Sequence, residues 1–141
     1  MNTKAILFPL LAMFALTCVV AVVMFRRRVS FYKANRVHPQ KTATSAQMTA
    51  TMPDSRAPDN FRNLFEMPVL FYVAVLVLYV TVLSNVVALA LAWGYVLARC
   101  VHSFIHCGSN TVMRRFYAFA TSCVLLLLLW LMLAYQLLTS A

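Results

Sequence analysis

Apolar side chains run along this chain in four long blocks, and each break between blocks carries its own polar signal. The blocks cover residues 5–25, 64–83, 86–107 and 116–138. At about 1.5 Å per helical residue, each is long enough to cross ~30 Å of hydrocarbon. Arg26-Arg27-Arg28 closes the first, Ser84-Asn85 makes a tight turn after the second, and Cys107-Gly108-Ser109-Asn110 follows the third. The pattern predicts an all-α integral membrane protein, a four-transmembrane-helix bundle with residues 1–141 as a single domain. The run "LLLLLW" in the last helix reads as a lipid-facing surface. Between the first and second helices lies a long connection, about residues 26–63. Its stretch 33–60 is rich in Thr, Ser, Ala, Gln and Pro, has no helical period, and reads as a solvated, mobile loop.

The first block resembles a signal peptide in having Lys4 before it. It is too long for a typical signal core, however, and three arginines follow at once, as in a stop-transfer segment. Thr17 before Cys18 also makes a poor lipoprotein signal. The expectation is a retained helix.

Composition agrees with this class. The chain has 141 residues, 63% of them hydrophobic, and a soluble domain this small could not bury so much apolar surface. Its four cysteines (Cys18, Cys100, Cys107, Cys123) show no Cys-x-x-Cys spacing and read as reduced apolar fillers.

Charge adds orientation. Eight of the twelve basic residues, Arg26, Arg27, Arg28, Lys33, Arg36, Lys41, Arg56 and Arg62, lie between the first two helices. Arg99, Arg114 and Arg115 flank the turn between the last two, and only Lys4 is left on the other side. The positive-inside rule makes both connections cytoplasmic and puts both termini outside. The expected setting is a multi-pass protein of the lipid bilayer, in a bacterial inner membrane. Because the net charge of +9 is gathered on one face, it need not imply nucleic acid.

The informative residues are the polar ones inside the blocks. Arg99, His102 and His106 fall at i, i+3 and i+7, one stripe of a helix, with Tyr95 a turn deeper. A central arginine costs ~2.5–3.5 kcal/mol on insertion scales. The nine Val, Leu, Ile and Phe residues between Val86 and Ile105 roughly match that at ~0.3–0.6 kcal/mol each. This helix therefore relies on neighbours, and Arg99 needs a partner. Glu66, one of three acidic residues in the chain, is the only one within a block. It lies within about one turn of Arg99's depth, on the antiparallel neighbour. An intramembrane ion pair is expected. Pro68 can kink the second helix and open a cleft. Arg62, Asn63, Glu66, Arg99, His102 and His106, with Arg114 and Arg115, should then converge on one cytoplasm-facing pocket. A purely structural pair and headgroup-seeking arginines compete with that reading. His102 and His106 have the spacing of metal ligands, but nothing completes the set, so no metal is expected.

Taken in order, "RNLFEMPVLFY" opening the second helix and "RCVHSFIHCGSNTVMRRFYAF" joining the third to the fourth resemble the membrane-associated proteins in eicosanoid and glutathione metabolism, the MAPEG family. The likeness spans essentially the whole chain. It implies a homotrimer with glutathione bound between adjacent subunits at the cytoplasmic end. It also implies transferase, peroxidase, isomerase or synthase chemistry on apolar or lipid electrophiles, although one branch of the family binds lipid without catalysis. Carried over by position, Arg62, Asn63, Glu66, Arg99 and His102 would hold the peptide. Arg115, or else Arg114, would face the thiol, and Arg26 ending the first helix is a further match. His106 stands where a tyrosine is common, Asp59 where some members carry arginine, and Phe116 and Phe119 where some carry polar residues.

The chemistry suits those residues. Glutathione has two carboxylates and an ammonium, which fit a basic pocket with one glutamate. A guanidinium near its thiol favours the thiolate. A pKa drop of about two units needs ~2.7 kcal/mol of differential stabilisation. The reading is a membrane protein that binds glutathione and conjugates or reduces apolar electrophiles. The competing reading is a non-catalytic lipid-binding or scaffold protein. A small four-helix exporter is disfavoured, since the first helix carries no acid.

Overall fold

The computed structural model describes residues 3–139 and is all-helical, with no strand among them. A single-turn 3-10 segment, Thr3–Ile6, leads into α1 (Leu7–Asn35). A second short 3-10 segment, Pro39–Thr42, precedes α2 (Ser45–Thr51) and α3 (Arg56–Asn63). Then come α4 (Met67–Val80), α5 (Val86–Cys107) and α6 (Val112–Thr139). Four stretches, Thr3–Asn35, Arg56–Val80, Val86–Cys107 and Val112–Thr139, are long and apolar enough to cross a membrane.

The arginines that end the first apolar block do not end its helix. Arginine is a good helix former, so α1 runs on through Arg26-Arg27-Arg28 to Asn35. It stops at Arg36, whose left-handed φ of 51° turns the following N–H, that of Val37, back onto Tyr32 O at 3.2 Å. The expected mobile loop is likewise helical in part. Thr44 and Gln47 form a reciprocal capping box that starts α2, and Ala57 and Asn60 bury one face of α3. The polar composition of 33–60 hides these helices: α2 has a capping signal but no buried stripe, and α3 starts at Ser55 without a side-chain cap.

The second span is broken rather than continuous. Pro68 has no N–H to give Leu64 O, and its ring would clash with that carbonyl in an unbroken helix. The chain accordingly leaves the helix at Leu64–Glu66, with Glu66 at φ −96° and ψ −100°, and resumes at Met67. At the far end the turn falls at Thr81–Ser84, with Val82 at φ 60°. Asn85 caps α5 by accepting from the Ala88 N–H at 2.8 Å.

The core is a stripe along each helix. Met13 and Val20 of α1, one heptad apart, share one buried cluster with Phe71, Val75 and Leu78 of α4 and with Leu126, Leu129 and Leu133 of α6. Phe71 stacks on Tyr95 of α5 at 4.5 Å between centroids. Within the leucine run, Leu126 and Leu129 face inward and Leu127 and Leu128 outward, so only half of it meets lipid. Phe8, Phe14, Val80, Phe104 and Leu138 are among the large apolar side chains left exposed, as a bilayer requires.

Candidate functional site

The break in the second span creates the site's first feature. In a continuous helix Met67 N–H would reach back to Asn63 O. Here Arg99 takes that acceptor, with Nη2 donating to Asn63 O at 3.0 Å. Arg99 is fully buried, its guanidinium carbon 5.7 Å from the Phe119 ring centroid, and its Nε and Nη1 have no hydrogen-bond partner among the described residues. The expected Glu66–Arg99 ion pair is not formed, since the ion pairs among the described residues both involve Asp54. The break turns Glu66 outward to an exposed position, while its freed carbonyl neighbour holds the arginine.

A second set of residues gathers at the corner between α5 and α6. Gly108 ends α5, and a Cβ there would lie 2.9 Å from Phe104 O, so the close turn demands glycine. Asn110, at φ 51°, donates its N–H to Ile105 O at 2.8 Å and points its amide at the first turn of α6. There Arg115 Nη1 donates to Asn110 Oδ1 at 2.7 Å and to His106 Nε2 at 2.9 Å. The carbonyl of Arg115 accepts from His102 Nδ1 at 3.1 Å. The two imidazoles stand edge to face, 5.4 Å apart. One holds the backbone of Arg115 and the other its head.

Two hollows meet at this corner. One, of about 240 Å³, is lined by Asn63, Glu66, His102, Val112, Arg115, Phe116 and Phe119. The other, of about 290 Å³, is lined by Asp59, Arg62, Asn63, Glu66, His106 and Arg115. Asn63, Glu66 and Arg115 are common to both, so the two form a trough with a polar end and an aromatic end. Of the residues expected at the site, Arg62, Asn63, Glu66, His102, His106 and Arg115 are brought together, and Arg99 backs them through Asn63. Arg26 and Arg114 are exposed and line neither hollow. Among the described residues no three His, Cys, Asp or Glu side chains gather as a metal site.

One group escaped sequence reasoning. Arg27 Nη2 donates to Cys107 O at 2.6 Å and Arg56 Nη1 to Gly108 O at 2.7 Å, so two cations cap the C-terminus of α5. Asp54 ties them, with Oδ1 2.7 Å from Arg56 Nε and Oδ2 3.5 Å from Arg27 Nη1. Hydrogen bonds from Arg56 hold the Asp54 carboxyl below the usual aspartate range. Behind this clasp Asn60 links Ser103 and Cys107. The signal available in the sequence was weak: an Asp two residues before an Arg in a connection that read as unstructured.

No curated protein and no solved structure matches the chain. The MAPEG family model, however, matches residues 6–135, which takes in all four spans, the broken second helix and the corner that carries Arg115. The protein is a membrane protein belonging to the MAPEG family.

Proposed function

We propose that the trough binds glutathione and that the protein conjugates or reduces apolar or lipid electrophiles with it. The observation that carries this reading is the position of Arg115 on the wall shared by the polar and aromatic hollows. A thiol held there has a fixed cation beside it and the N-terminal turn of α6 behind, both of which favour an anion. On the polar side Arg62 meets a carboxylate of the peptide, Glu66 and Asp59 its ammonium, and the Asn63 amide its backbone. On the other side Phe116, Phe119 and Val112 receive the apolar body of the second substrate, which arrives from the bilayer.

Arg26 and Arg114 point away from this trough, so they reach a bound peptide only across a subunit boundary. That fits a homotrimer with glutathione between adjacent subunits. The basic end then faces the cytoplasm and both termini lie outside, as in a bacterial inner membrane protein.

A second reading has its own support. Phe116 and Phe119 beside Arg115 also suit an anionic lipid, headgroup on the cation and acyl chain on the rings. Ultraviolet absorbance of bound thiolate at saturating glutathione, together with turnover of chlorodinitrobenzene by the purified protein, separates the two. Thiolate and turnover are expected. Neither signal, with glutathione failing to bind in equilibrium dialysis, would favour the lipid-binding protein.

A further inference from the structure

His106 is one half of a hydrogen bond whose other half cannot accept. A guanidinium carries donors only and keeps its charge at any pH the protein meets. Its Nη1 lies 2.9 Å from His106 Nε2, so that nitrogen must present a lone pair. The proton of the neutral ring then sits on Nδ1, which is buried and has no partner among the described residues. Asn110 Oδ1 is the other acceptor on the same Nη1, at 2.7 Å. Arg115 makes no ion pair with a carboxylate among the described residues. Of the two groups that hold this guanidinium, only the imidazole titrates.

We propose that His106 is the positioning residue for Arg115 and thereby gates ionisation of the bound thiol. The proposal rests on the glutathione reading above. With His106 neutral, the guanidinium is held at the shared wall of the trough. A proton from solvent on Nε2 removes the lone pair, ends the bond and sets a second cation against the first, so Arg115 swings off the wall. The thiol proton itself passes to solvent, since arginine cannot take it. Groups facing His106 from every packed element set how readily this happens. They are Arg99 and His102 on α5, Arg115 on α6, Asp59 and Arg62 on α3, and Glu66 in the break. Acidification thus removes the acceptor that holds Arg115 at the wall.

Two readouts on the full-length protein in detergent test this. The first is ¹⁵N NMR of labelled histidines in the wild type without glutathione, with His106 assigned by its loss in His106→Gln. The expected signature at neutral pH is a ring protonated on Nδ1 with a hydrogen-bonded, unprotonated Nε2. A ring protonated on Nε2 overturns the proposal. The second is thiolate absorbance at saturating glutathione as a function of pH. His106→Phe keeps a ring but no acceptor, and should hold about tenfold less thiolate at neutral pH. Glutamine offers an acceptor that does not titrate, so His106→Gln should restore most of that loss. It should also lose thiolate on acidification with a one-proton slope, where the wild type falls more steeply. Wild-type thiolate in His106→Phe overturns the positioning role. Equal slopes in wild type and His106→Gln overturn the gate. Absence of thiolate in the wild type overturns the glutathione reading and the gate with it. The NMR spectrum still decides on its own whether His106 holds Arg115.

Discussion

Arg115 is gripped at both ends: its Nη1 lies 2.9 Å from His106 Nε2, and its carbonyl oxygen 3.1 Å from His102 Nδ1. Its neighbour Arg114 is exposed and shares neither partner. Arg115→Leu is therefore expected to raise the pKa of bound glutathione by about one unit or more and to lower turnover. Binding should weaken by less than about tenfold. Arg62→Leu should do the reverse, since that residue lies at the polar end only. Thiolate titration with each variant checks the pair. An unchanged thiol pKa in Arg115→Leu would remove the arginine from the thiol.

Glu66 and Arg99 should couple only weakly in stability, since they are within electrostatic reach but form no ion pair. Glu66 is exposed and Arg99 bonds a backbone carbonyl, so neither change strands the other's charge. Glu66→Gln is expected to shift unfolding by no more than ~0.5 kcal/mol, as exposed sites do. Arg99→Leu removes a buried cation with unpartnered nitrogens and leaves Asn63 O free, so it should stay within ~1–2 kcal/mol of wild type. The double mutant should show nearly additive changes in thermal unfolding. A coupling of several kcal/mol would restore the ion pair, by way of a rearranged or neighbouring subunit.

The spans were legible because length and apolarity alone define them, whatever their rotation. Rotation is what the sequence withheld. Depth along the helices put Glu66 beside Arg99, but the break after Asn63 decides which way Glu66 points. Arg114 and Arg115 differ by about 100° on a helix and hardly at all in depth. Only packing of α6 against His102 and His106 tells them apart. Pro68 read as a kink, whereas its effect on Leu64 O is strong enough to unwind three residues. Of the helices in 33–60, α2 was signalled by Thr44-Ser45-Ala46-Gln47, a capping pattern easily passed over in a polar stretch, whereas α3 has no side-chain cap.

Orientation has a direct check. In a variant freed of its native cysteines, Ser45→Cys should resist a membrane-impermeant thiol reagent applied to intact cells. Ser140→Cys, at a position outside the described residues, should react. Outside labelling at Ser45→Cys would invert the bundle and turn the trough away from cellular glutathione.

The Asp54 clasp predicts acid sensitivity of the segment that caps the C-terminus of α5. Because Arg56 depresses the folded-state pKa of Asp54, the contribution is present above the ordinary aspartate value and is lost as pH falls through the depressed one. Both partners are partly exposed, so the effect is local rather than global. Hydrogen exchange of residues 52–58, corrected for intrinsic rates, should be faster at about pH 3 than at about pH 6. Asp54→Asn should show the faster exchange at both. Equal corrected rates in the wild type would mean the clasp does not hold this segment.

Pro68 is expected to matter for the site more than for the helix. It occupies the first turn of α4, where a missing N–H costs little, so Pro68→Ala should change thermal stability by less than ~1 kcal/mol. Alanine does, however, supply an N–H for Leu64 O and removes the ring that forces the break. The helix can then close across Leu64–Glu66, and Met67 N–H competes with Arg99 Nη2 for Asn63 O. Closing it rotates Asn63 and Glu66 off the wall they share with Arg115. The Met67 amide should exchange more slowly than in the wild type, and glutathione binding should fall by about tenfold or more, the worth of one charge-assisted contact. If that amide gains protection while binding stays at the wild-type level, the break does not shape the trough, and Asn63 and Glu66 are not ligands.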